Sequence, residues 1–204
     1  MPGGAERRQA SNTVLWGDLI TDERSMELLK RVRPMDYLLT GALVVVAMLI
    51  GLENVNAKSA DDVAHVIESH STWIIPVFVL AVLPVLLRRS AIVAAIWASA
   101  AVVGASVLMF GWIVRCGFGL PLSFVLAYSL GRFAKNRSEL GAGLLGLVAL
   151  QVAVLIRDSA TDGAGIMVAT VPIAIVLTAV GLFVHNRTRT VAAPVQPQAE
   201  RVHA

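Results

Sequence analysis

The chain has 204 residues, of which 56% are hydrophobic and only 15% charged, with a mean hydropathy of +0.73. Those proportions exclude an ordinary water-soluble domain, in which about a quarter of the residues are charged. The net charge of +3 and the pI near 9.5 accompany long apolar blocks, so they speak of membrane topology and anionic headgroups rather than nucleic acid.

Residues 1–34 read as a cytoplasmic segment. Met1 to Asn12 is polar and expected to be disordered. "TDERSMELLKRVRP" then reads as a short interfacial amphipathic helix: Thr21 or Asp22 caps it, Leu28, Leu29 and Val32 make a stripe, and Lys30, Arg31 and Arg33 fill the last turn before Pro34. It suits an anchor for the first span or a docking helix for a partner. No cleavable secretory signal is visible, so the first span is expected to direct its own insertion.

Six apolar blocks follow: Tyr37–Leu52, Trp73–Leu87, Ala91–Val114, Phe118–Leu130, Leu140–Ile156 and Gly165–Val184. They imply an all-α polytopic membrane protein with six transmembrane helices over residues 35–185 and a short disordered tail over 186–204. Basic residues orient it, because Lys and Arg near span ends stay on the cytoplasmic side. With the N-terminus inside, fourteen of the 17 lie inside, and only Lys58, Arg115 and Arg157 lie outside. Both termini are therefore expected to be cytoplasmic.

The connection from Glu53 to Thr72 is the longest between spans, and "SADDVAHVIESH" within it reads as a short amphipathic helix. Asp62, His65, Glu68 and His70 form a candidate extracytoplasmic sensing loop, able at helical spacing to hold a metal weakly or to respond to pH. The same pattern fits a solvated helix capped by Ser59, and such loose spacing favours that reading. Cys116 stands alone, so no internal disulfide or cysteine metal site is available.

The spans hold almost no ionisable residues, which counts against a transporter or proton relay. Gln151 is the strongest polar residue among them, and its amide needs a partner on another helix. The glycines of "GAGLLG", Gly141, Gly143 and Gly146, match the spacing of a dinucleotide loop. No strand precedes them and an apolar run follows, so they read as a helix-packing seam. Ala95, Ser99 and Gly104 form a second candidate seam on the third span. Bulk at Gly143 or Ser99 should therefore disturb folding or association, and Leu147→Ala should do little. His65, His70, His185 and His203 have no nucleophile-and-carboxylate setting, and no catalysis, nucleotide, cofactor or metal is expected.

Three stretches carry a likeness to a known family: "RPMDYLLTGALVVVAMLIGLE", "LAVLPVLLRRSAIVAAIWASA" and "LPLSFVLAYSLGRFAKNRSELGAGLLGL". With Arg outnumbering Lys fourteen to three, the chain over roughly 33–190 resembles the N-terminal membrane-sensor region of sensor histidine kinases from high-GC bacteria. The resemblance implies the bacterial cytoplasmic membrane, a sensing or regulatory role, and a signalling partner or second copy in addition to membrane lipids. The chain departs from that family after His185, where "NRTRTVAAPVQPQAERVHA" has no phosphoacceptor helix and no ATP-binding domain. A small transporter or channel-like subunit, or an assembly component of an envelope complex, are the competing readings.

Overall fold

The structure is a computed structural model and describes residues 33–57, 65–161 and 163–191. The expected amphipathic helix before Pro34 and the residues after Val191 lie outside the described residues. Six helices account for most of what is described, and no strand occurs among the described residues.

Helix α1 runs Pro34–Asn56. Proline suits the first helical position, where its missing N–H would have no partner anyway. The Asp36 carboxylate accepts the Arg33 N–H at 3.0 Å and closes the first turn. Asp36, Thr40, Leu43, Ala47, Gly51 and Asn54 recur every three or four residues and form its buried stripe. Met35, Leu38, Val45, Leu49 and Leu52 are exposed on the other faces, as lipid contact allows and water does not.

Helix α2, Ile74–Val82, tightens into a 3₁₀ turn over Leu83–Leu87. Pro84 is the local cause, because it has no N–H to donate and its ring crowds the carbonyl one turn earlier. Next come α3, Ile92–Phe110; α4, Cys116–Phe133; α5, Arg137–Leu155; and α6, Ala164–Val191. Gly111 ends α3 with φ +63°, a left-handed conformation that favours glycine. Asn136 caps α5 by accepting the Glu139 N–H at 2.7 Å. Helix α6 extends past Val184 to Val191, into the stretch read from sequence as tail.

Five of the six helices are long and apolar enough to cross a membrane; Ile74–Leu87 is apolar but shorter. The chain is a multi-pass membrane protein by that measure. Ile74–Leu87 nevertheless runs antiparallel to α1 from end to end. Arg88 and Arg89, just past it, reach Asp36, and His70, just before it, reaches Asn54. With nine α-helical and five 3₁₀ residues it is about 24 Å long, against about 27 Å from Asp36 to Asn54.

Helix α4 lies at the centre, tightly against α6 and also touching α1, α3 and α5; α3 lies along α5. The core joins Ile74 and Phe78 of α2 to Ile96 of α3, Phe118, Leu122 and Leu126 of α4, and Leu150 and Val154 of α5. The rings of Phe78 and Phe118 sit 4.1 Å apart.

Candidate functional site

The charged and hydrogen-bonding groups concentrate at the two ends of the bundle. At the end marked by Asn54, the turn between α3 and α4 meets the α5–α6 loop and the segment before α2. Asp158 is fully buried and accepts the N–H groups of Arg115 and Cys116, both at 2.6 Å. A carboxylate there satisfies the free amides that open α4 and opposes the positive end of its dipole. Ser159 N–H donates to the Ile113 carbonyl beside it.

Arg115, also fully buried, spends its guanidinium on the Ser106 hydroxyl and on the carbonyls of Ser106, Gly111 and Arg157, at 2.7–3.2 Å. Burial pulls its pKa down to about 10, the nearby Asp158 carboxylate holds it up in part, and the cation persists at neutral pH. Asn54 joins α1 to this assembly: its amide nitrogen donates to the Val114 carbonyl at 2.9 Å and its oxygen accepts the Val114 N–H at 2.8 Å.

The segment expected to sense the outside lies on this cap. The expected amphipathic helix does not extend over His65–His70, which is irregular, and Asp62 lies outside the described residues. His65 stacks on Trp112 with ring centroids 3.9 Å apart. Glu68 pairs with Trp112 through backbone and side chain, its N–H donating at 2.8 Å and its carboxylate accepting at 3.0 Å. The His70 Nδ1 lies 2.9 Å from the Asn54 carbonyl. His65, Glu68 and His70 are thus spread along a strap, the first two engaged with Trp112 and the third with Asn54. No group of three metal-ligating side chains converges among the described residues. In place of helical hydrogen bonds, the His65 and Glu68 N–H groups donate to the Ser159 and Trp112 carbonyls, at 3.2 and 2.8 Å.

At the opposite end Asp36 accepts from two arginines, Arg88 through Nε at 3.0 Å and Arg89 through Nε at 2.6 Å. Asp36 is fully buried, and the Arg88 and Arg89 side chains are 12% and 24% exposed. Arg89 also lies over the Phe133 ring, 5.1 Å from its centroid. Beside this triad an apolar groove of about 670 Å³ opens between α1, α4 and α6, walled by Leu38, Leu39, Phe124 and Leu177, with Arg88 and Tyr128 on its lining.

Between the two ends the polar groups are mild. Gln151 is buried, and its amide donates over long distances, 3.4 Å to the Ser123 hydroxyl and 3.3 Å to the Thr170 carbonyl. It does link three helices, as its chemistry demands. Thr178 ties α6 to the Ala127 carbonyl of α4 at 3.1 Å.

The candidate packing residues divide. Gly143 and Gly146 are buried, a Cβ on them meeting Leu130 in one case and Ile96 and Trp97 in the other, and Ala95 and Ser99 are buried too. Gly104 and Gly141 have nothing among the described residues within 4 Å of an added Cβ. The "GAGLLG" stretch is helical throughout, which is not the loop geometry a dinucleotide site uses. Leu147 is only 2% exposed, so the expectation that its truncation does little is corrected: it faces the core.

Sequence reasoning passed over the residues that hold the two ends. Asp36 stood immediately before the first apolar block, where an acidic residue raises no question, and Arg115 was one of three cations on the side with few. Only Arg115 was an exception to a membrane rule, and that was the available signal. The pair Gly131 and Gly181 was also missed; there α4 and α6 come so close that a Cβ would strike the other helix's backbone.

No family model, curated protein or solved structure matches the chain.

Proposed function

We propose that the chain is a non-catalytic regulatory subunit of the bacterial cytoplasmic membrane, a sensor-type bundle of six crossings with both termini on the cytoplasmic side. The observation that carries this reading is that α1 is tied at both ends. Asn54 and the His70 contact hold one end to the strap and cap, and Asp36 holds the other to Arg88 and Arg89. A change at the strap therefore acts on a rigid helix whose far end leads straight into residues 1–33. That is the connection a membrane sensor needs between an outer surface and a cytoplasmic segment.

The sixth crossing is supported by Ile74–Leu87 matching α1 at both ends. The orientation is supported by the fourteen basic residues it keeps inside. Arg115, a cation on the other side, is buried and satisfied by carbonyls, so it bears little on the charge rule. The likeness to histidine-kinase sensor regions supports the same role and a signalling partner or second copy. Against transport stands the location of charge: among the described residues, every Asp, Glu, Lys and Arg of the helices lies in the end turns.

The test is transmission along α1. On a Cys116→Ala background in proteoliposomes, a cysteine at Arg33 should change its reactivity toward an impermeant thiol reagent severalfold when Asn54→Ala or His70→Ala loosens the outer tie. Unchanged reactivity in both variants, with the helical circular dichroism signal intact, refutes the sensor reading.

A further inference from the structure

We infer that the groove between α1, α4 and α6 is a binding site for one anionic phospholipid, an acyl chain lying along Leu38, Leu39, Phe124 and Leu177 and the phosphate meeting Arg88. The inference needs the chain to be a membrane protein and is independent of the sensor reading and of orientation, because both faces of a bilayer carry headgroups.

The groove's volume of about 670 Å³ falls within the range of specific ligand sites, about 300–1,000 Å³. Its walls are apolar side chains, and it opens on the lipid-facing flank of the bundle, where Leu38 is 69% exposed. A hollow there is filled by hydrocarbon, since an empty one forfeits dispersion contacts on every wall. What makes the site selective is its charged end. Arg88 donates to Asp36 through Nε and Nη2, while Nη1 has no acceptor among the described residues. That unspent donor belongs to a side chain only 12% exposed that lines the groove. Asp36 is one carboxylate for two guanidiniums, so the triad keeps a net positive charge beside the groove. A phosphodiester supplies both the missing acceptor and the missing charge. A zwitterionic lipid carries the same phosphate, but its ammonium works against the surplus cation, so an anionic headgroup fits better.

Native mass spectrometry of the full chain, given equimolar phosphatidylglycerol and phosphatidylcholine, tests this. The expected result is one retained phosphatidylglycerol, preferred by about fivefold or more, the effect of one cation beside an anionic lipid. Leu38→Trp fills the groove without touching the triad and should cut retention of both lipids at least tenfold. Arg88→Gln should abolish the preference, and Arg88→Lys, which keeps the charge, should preserve it if the folded triad is retained. Equal retention of the two lipids by the unaltered chain, or undiminished retention by Leu38→Trp, overturns the inference. So does retention that appears only after deletion of residues 1–32, which would make the chain's own N-terminal segment the occupant. A dimer that Leu38→Trp converts to monomer also overturns it, by placing a second copy in the groove.

Discussion

Asp36 serves two arginines with one carboxylate, each oxygen turned to its own guanidinium. Asp36→Asn removes the charge but leaves both cations in place, so the expected loss is about 2–4 kcal/mol, the scale of breaking a largely buried pair. Arg89→Gln should cost less, about 1 kcal/mol, because Arg89 is twice as exposed as Arg88 and the variant leaves Asp36 paired with Arg88. Thermal unfolding in detergent checks the order: equal losses in the two variants would mean the triad is not organised around Asp36. Gln151→Leu gives the opposite expectation. Its hydrogen bonds are long, and bonds of this kind between membrane helices average about 0.6 kcal/mol, so the variant should stay within about 1 kcal/mol of the parent. At Arg115 four fixed acceptors match a planar fork, and lysine's point charge cannot meet them together. Arg115→Lys should destabilise by about 2–3 kcal/mol. With a pKa near 10 the guanidinium is protonated in folded and unfolded chains alike at neutral pH, so Arg115 should add no pH dependence to the stability of the unaltered chain between pH 6 and about 8, which thermal unfolding across that range checks.

Among the helices, α4 and α6 make the closest approach, and it depends on glycines. A Cβ at Gly131 would strike the Thr178 carbonyl and one at Gly181 the Tyr128 carbonyl, and backbone cannot move aside as a side chain can. Gly131→Val and Gly181→Val should therefore prevent folding. Gly143→Ala meets the side chain of Leu130 rather than backbone and should cost less, and Gly104→Leu and Gly141→Leu should leave the melting temperature unchanged. Leu147→Ala opens a cavity between α5 and its neighbours and should cost about 2–5 kcal/mol. If Gly104→Leu proves as harmful as Gly181→Val, the arrangement of α3 and α4 described above is wrong. The helices themselves were legible from hydropathy to within about four residues, except that α6 runs on past Val184 to Val191. The packing face of each was not, because residues that face lipid and residues that face the core are equally apolar, and the 3.6-residue pattern that marks a soluble helix is muted.

For the molecule as a whole, accessibility decides the topology. Single cysteines on a Cys116→Ala background at Ala160, exposed in the α5–α6 loop, and at Lys135, in the α4–α5 turn, should label from opposite sides of the membrane, Ala160 from outside. Asp158 is unsuited to this measurement, since it is fully buried under the cap. Labelling of both positions from the same side would remove the six-crossing arrangement. Sequence by itself determined that the chain is helical and built for a membrane, because apolar length and the scarcity of charge are properties of single segments and need no neighbours to be read. It also singled out Gln151, Gly143 and Gly146 as residues whose role depends on a neighbouring helix. Only the tertiary structure decided which charges meet. Asp36 lies 52 residues from Arg88, Asn54 lies 60 from Val114, and Asp158 lies 43 from Arg115. Such pairs leave no local pattern, since each arises from where two helix ends arrive in space. For the same reason the strap over His65–His70 took the place of a helix, and the groove beside Arg88 exists only once α1, α4 and α6 stand side by side.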